Sequence, residues 1–259
     1  MGKEPMTAPL VSVIMPAYNA GGYIAEAIRS VQAQTVVDWE LLVLDDGSGD
    51  DTRSIVESLA QTDQRIRYLR NSANLGVSQT RNRGFELCGG RFVALLDSDD
   101  IWYPDKLEKQ LARMSRTNAD FSYTSYGIMD AKGEKARADY LVPEEVCLRK
   151  LLKENVIGCS TVMLTREMAE KYRFCTEYYH EDYVLWLKLL QDGRRAAGCP
   201  EVLANWRYLP NSRSFNKQRA AANRWNIYRL HLKLPLHQCL WLFANYILGS
   251  LRKYRRSIT

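Results

Sequence analysis

The sequence predicts an α/β domain built on a mostly parallel sheet flanked by helices, followed by a C-terminal helical extension. Two observations carry this. Short β-branched or leucine-rich runs alternate with helix-period segments through the first hundred residues, the order that yields a parallel sheet covered on both faces. Beyond about residue 215 the chain becomes rich in leucine and aromatics and ends in Arg252, Lys253, Arg255 and Arg256. The 259 residues therefore divide into an N-terminal tail (1–9), one large domain (10–215) and a helical extension (216–259).

The strand runs are residues 11–15, 39–44, 66–69 and 92–96, short and β-branched or leucine-rich, as buried parallel strands tend to be. Between them, 23–34, 52–60 and 77–87 read as helices. In the first, Ile24, Ala27, Ile28 and Val31 recur at helical spacing, and Asp50 or Asp51 is placed to cap the second. Pro104 opens a helix to about residue 116, since proline is tolerated in a first turn. After it, 121–126 predicts a strand, 144–152 a helix, 160–164 a strand and 182–191 a helix.

The six cysteines show no CxxC pair and no zinc-ligand spacing, so free thiols in a reducing compartment fit best. Residues 1–10 lack a continuous apolar stretch and do not read as a secretory signal. The expected location is the cytoplasm, peripheral on the inner face of the cytoplasmic membrane. In the extension, Lys233, Pro235, His237, Gln238 and Asn245 break the apolar run, leaving too little for a spanning helix. An amphipathic helix with a basic end suits the headgroup region of an anionic leaflet. A helix packed on the domain, or on a second subunit of a homo-oligomer, fits the same residues. The net charge of +6 is modest, and no nucleic-acid partner is expected.

Three strands end in polar residues: Pro16-Ala17-Tyr18-Asn19, Asp45-Asp46-Gly47-Ser48 and Asp97-Ser98-Asp99-Asp100. In a parallel sheet these ends share one edge, where open α/β sheets bind ligands. A tyrosine face can stack on a base, a carboxylate can accept a base N–H, and paired aspartates can hold a hard divalent cation at a diphosphate. Taken singly, Asp97 and Asp99 equally suit a helix cap, Tyr18 and Trp102 a core, and Arg81 a structural ion pair.

These segments, with Asn74-Leu75-Gly76, Thr80-Arg81-Asn82 and the run His180-Glu181-Asp182-Tyr183-Val184-Leu185-Trp186, together resemble the family 2 glycosyltransferases of the GT-A fold, a Rossmann-like architecture. The likeness covers about four-fifths of the chain and is similar to enzymes of bacterial surface-polysaccharide assembly. It implies that Pro16, Tyr18, Asn19, Asp46, Arg81, Asp97, Ser98 and Arg207 bind a nucleotide sugar, with Tyr18 on uracil and Asp46 at its N–H. Asp97 and Asp99 would hold Mn or Mg, and Asp182 would be the catalytic base, with Glu181 its rival. The implied reaction moves one sugar, with inversion, from a UDP-sugar to a lipid-linked oligosaccharide. The Gln-x-x-Arg-Trp motif of the processive members is missing, and Trp206-Arg207-Tyr208 with Ser212, Arg213 and Ser214 resembles a loop that closes over the diphosphate. Two rivals remain: a nucleotidyltransferase acting on sugar phosphates, whose basic glycine-rich loop Ala20-Gly21-Gly22 lacks, and an inert nucleotide-sugar-binding module.

Overall fold

The computed structural model describes residues 8–209 and 217–255. Strands β1 (Val11–Ala17), β2 (Trp39–Asp45), β3 (Ile66–Arg70) and β4 (Phe92–Leu95) are mutually parallel, in the order β3-β2-β1-β4. Helices α1 (Ile24–Gln32), α2 (Thr52–Thr62) and α3 (Val77–Leu87) connect them, as the alternation predicts. Asp51 holds the N-cap position of α2 without a side-chain cap bond, and the flanking Asp50 supplies one instead: its Oδ1 accepts the Thr52 N–H at 3.1 Å and the Thr52 hydroxyl at 2.5 Å. Pro16 lies inside β1, where a missing N–H would normally break a ladder. It is tolerated because β4 pairs with β1 only from Val11 to Ile14, leaving Pro16 beside β2 alone.

The second half departs from the prediction. Its elements are β5 (Ile101–Trp102), α4 (Lys106–Thr117), β6 (Phe121–Met129), β7 (Lys135–Tyr140), α5 (Leu148–Lys153), β8 (Met163–Thr165), α6 (Arg166–Lys171), α7 (Glu181–Gln191) and β9 (Ala196–Arg207). They complete one sheet in the order β3-β2-β1-β4-β8-β6-β9-β5, with β7 beside β6. β9 runs parallel to β6, while β8, β5 and β7 enter antiparallel. The helix expected from residue 144 starts only at Leu148, because the Glu144 carbonyl is taken by the Gly198 N–H at 2.8 Å. The strand expected over 160–164 is a 3-10 turn, Cys159–Thr161, followed by β8. Gly198 and Pro200 conceal β9 in the sequence; a register shift between Thr124/Cys199 and Ser125/Val202 sets Pro200 outside the ladder, as a bulge does.

Two apolar cores form, one on each face of the sheet. Val11, Val13 and Met15 face Ile24, Ile28 and Val31 of α1 on one side, while Ile14, Leu42 and Leu44 join Phe85 and α7 on the other. In the second core Trp186 stacks on Phe121 at 6.1 Å and meets Phe174 edge-on. Helix α3 approaches β1 closely at Gly84, where a Cβ would lie 2.5 Å from Ile14 Cγ2. Gly84→Ala should therefore cost about 1–3 kcal/mol from overpacking, read as a lower midpoint in urea melts; an unchanged midpoint would contradict the close approach.

Past the domain come α8 (Lys217–Asn226), a π-helical turn Ile227–His231 and α9 (Leu236–Arg255). Tyr228, Cys239 and Leu242 are buried in a third small cluster with Trp225 and Phe243. The Tyr228 hydroxyl donates to the Leu152 carbonyl of α5 at 2.5 Å, so the extension is seated on the domain. Among the described residues no helix is long and apolar enough to cross a membrane.

Candidate active site

The C-terminal ends of β1, β2 and β4 lie side by side, as parallel pairing requires. Leaving β1, Tyr18 is 55% exposed, a free aromatic face. Asn19 takes the left-handed region (φ 49°), which asparagine tolerates better than most residues. Its N–H donates to Ser48 Oγ and its Oδ1 accepts the Gly49 N–H, both at 2.9 Å, tying the first strand-end loop to the second. Pro16 is buried within β1, so it shapes the exit and presents no ligand surface.

Leaving β2, the two aspartates part. Asp45 is fully buried and accepts the Ser48 N–H and the Tyr68 hydroxyl. Burial alone would raise its pKa, but these hydrogen bonds outweigh it and hold the carboxyl below its usual range. Asp46 accepts the Leu75 and Gly76 N–H groups at 2.8 Å and the Asn71 amide at 2.7 Å. It thereby anchors the Asn74-Leu75-Gly76 loop, and with Tyr18, Val77, Gln79 and Tyr178 it borders an open cavity of about 490 Å³.

Leaving β4, the Asp97-Ser98-Asp99-Asp100 turn is held from several sides. Arg81, 4% exposed, donates to Asp97 Oδ1 at 2.5 Å and to Glu181 Oε1 at 2.7 Å. Ser160 Oγ accepts the Asp97 N–H at 3.0 Å and donates to Asp100 Oδ2 at 2.5 Å. Asp100 is buried and accepts the Arg207 N–H at 2.8 Å. Arg207, 1% exposed, donates through Nε to the Asp99 carbonyl, through Nη1 to the Asp130 and Ala131 carbonyls, and through Nη2 to Glu26. The diphosphate contact expected of Arg207 is thus corrected: its guanidinium braces the acidic turn from behind. Ser212, Arg213 and Ser214 lie outside the described residues. Ser98 is half-buried between the aspartates.

A second cavity, of about 240 Å³, brings Asp97 and Asp100 together with Asp182 from the start of α7. Asp182 lines it, whereas Glu181, its rival for the base, is 5% exposed and paired with Arg81. Burial, then the Glu181 charge, push the Asp182 carboxyl up to about 6. Asp99 also rises to about 6, through burial and then repulsion by Asp97. Cys159 lines the same cavity with a thiol pushed well up by burial, hence an unreactive one. Trp102 is core: it is 4% exposed and its indole donates to the Ser160 carbonyl at 2.7 Å.

Among the described residues no group of three or more His, Cys, Asp or Glu side chains is gathered to hold a metal. Asp97 and Asp99 nevertheless fit a cation that keeps waters and takes its remaining ligands from substrate phosphates. Burial first, and then the neighbouring Asp97 charge, raise the Asp99 carboxyl, and a cation there would relieve the second of these.

Sequence reasoning passed over Ser160, Glu26 and the pairing of Glu181 with Arg81. No local signal marks the first two; Glu181 sits beside Asp182, but its partner is 100 residues away.

Such a sheet edge, with an open cavity beside an exposed tyrosine and an acidic turn facing a half-buried carboxylate, is that of a GT-A enzyme. Residues 12–174 match the profile of Glycosyl transferase family 2, and the chain belongs to that family: it is a glycosyltransferase. It is 38% identical over 95% of its length to WfgD of Escherichia coli, a UDP-Glc:alpha-D-GlcNAc-diphosphoundecaprenol beta-1,3-glucosyltransferase, and spans 95% of that protein. It is 39% identical over 95% of its length to a Bacillus subtilis protein provisionally named the teichuronic acid biosynthesis glycosyltransferase TuaG, spanning 97% of it. The fold also matches S. aureus TarS 1-349 in complex with UDP-GlcNAc, with a TM-score of 0.68 at 20% identity over 92% of this chain and 71% of that one.

Proposed function

We propose that this enzyme moves a single sugar, with inversion, from a UDP-sugar to a lipid-linked saccharide in bacterial polysaccharide biosynthesis. The observation that carries the proposal is the cavity in which Asp182 shares walls with Asp97. An acceptor hydroxyl there loses its proton to Asp182 as its oxygen bonds to the sugar C1, while the bond from C1 to the diphosphate breaks. One displacement inverts the anomeric centre. The departing diphosphate gathers negative charge. Mn or Mg held by Asp97 and Asp99 would supply Lewis-acid neutralisation of that charge. Tyr18 stacks on uracil and Asp46 accepts its N–H, with Asn19 fixing the loop between them. The lipid-linked acceptor is supported by the printed activity of WfgD. Against a nucleotidyltransferase stands the Gly21 N–H, which is given to Asp50 at 2.8 Å and not left for a phosphate.

Calorimetric titration with UDP, GDP and TDP, with and without Mn, tests the reading. UDP should bind tightest, at least about tenfold tighter with Mn, and Asp99→Ala should remove that gain. Preference for GDP, or UDP binding indifferent to Mn, would overturn the donor or the metal assignment respectively.

A further inference from the structure

We propose that the outward face of α9 docks on an anionic lipid bilayer. The helix has two distinct sides. Cys239 and Leu242 are buried against Tyr228, whereas Leu236, Leu240, Ile247 and Leu248 are each between 43% and 56% exposed. Their spacing places them along one stripe, with exposed Ala244 between. Trp241, 48% exposed, borders the stripe, with the Lys153 ammonium 4.6 Å from its ring centroid. The packed side secures the helix to the domain, so the stripe is free to bury elsewhere without unseating it.

Charge selects the occupant. Residues 217–259 contain nine Lys and Arg and no Asp or Glu, leaving 27 Lys and Arg against 30 Asp and Glu in the first 216. The cationic surplus of the whole chain therefore resides in the extension. A second copy of the extension would bring like charge against like, and a nucleic acid offers no apolar interior for the leucines. A bilayer with anionic headgroups satisfies both the apolar and the cationic parts. α9 also packs on α5, and the loop after α5 supplies Asn155, Ile157 and Gly158 to the wall of the Asp182 cavity. Docking there brings that wall of the cavity toward the lipid surface, where a lipid-linked acceptor would lie, a consequence that rests on the proposed function.

The test is co-sedimentation of the full chain with vesicles of phosphatidylglycerol and phosphatidylcholine in equal parts, against phosphatidylcholine alone. The chain should pellet with the anionic vesicles and be released at about 0.5 M salt. Leu240→Glu with Ile247→Glu should weaken partitioning at least about tenfold, and Lys233→Glu, at an exposed site, about fivefold at low salt. Equal pelleting of parent and double variant, equal binding to neutral vesicles, or no binding would overturn the proposal. So would a dimer that dissociates on Leu240→Glu, or RNA binding with no vesicle binding. Titrating the same preparations with UDP separates the two hypotheses: a chain that docks but binds no nucleotide overturns the function and leaves the docking standing.

Discussion

Asp182→Asn should lower kcat by about 10³-fold, within the range a general base contributes, while the donor KM changes little. Asparagine keeps the size of the side chain and cannot take the acceptor proton, so the loss falls on turnover. The pH profile gives an independent check. Only the ionised carboxylate is a base, and burial with the Glu181 charge pushes Asp182 up to about 6. In kcat/KM, which reports the free enzyme, activity should therefore fall on acidification below about 6 and level off above it, and the asparagine variant should fall less steeply, keeping only the limb from Asp99, which is raised to the same range. Glu181→Gln should retain far more activity, because Glu181 is turned to Arg81 and does not line the cavity. Turnover that survives Asp182→Asn and vanishes with Glu181→Gln would reverse the assignment.

Arg81→Met should produce the largest loss of stability. The guanidinium is 4% exposed and bridges Asp97 to Glu181, and removing one member of a buried ion pair typically costs about 3–5 kcal/mol because the remaining charge is stranded. For a chain of this size that corresponds to a fall in Tm on the order of 10 °C. Adding Glu181→Gln should recover part of the loss, since it removes one of the stranded carboxylates. A thermal melt that shifts by less than about 2 °C on Arg81→Met would show that the bridge carries little energy.

The first half of the fold is legible because its information is local. Strands β1 to β4 are short β-branched or leucine-rich runs, and α1 buries Ile24, Ala27, Ile28 and Val31 at the helical period; each signal sits within a dozen residues. β9 defeats such reading: Gly198 and Pro200 are poor strand formers, and only its pairing with β6, together with the Ser125 hydroxyl donating to the Pro200 carbonyl at 2.9 Å, makes the segment a strand. β5 is two residues long and exists only because β9 pairs with it.

The site divides in the same way. Tyr18, Asp46, Asp97, Asp99 and Asp182 stand out in the chain as candidates, because each follows an apolar run or opens a helix and residue type constrains chemistry. Their surroundings could not. Arg207 looked like a phosphate ligand and is instead a buried brace on Asp99, Asp130 and Ala131, since a guanidinium pointing at three carbonyls leaves no mark on the sequence around it. The ends of the extension behave likewise: composition disclosed that α9 is apolar and basic, but only its contact with Tyr228 and Leu152 decided which side packs and which stays open. The sequence by itself determined the alternation of elements, the acidic strand ends and the family, all properties of neighbouring residues. The tertiary structure alone decided that Glu181 pairs with Arg81 while Asp182 faces the cavity. Adjacent positions on a helix point about 100° apart, and which direction meets an arginine 100 residues away is fixed only when the core closes around both.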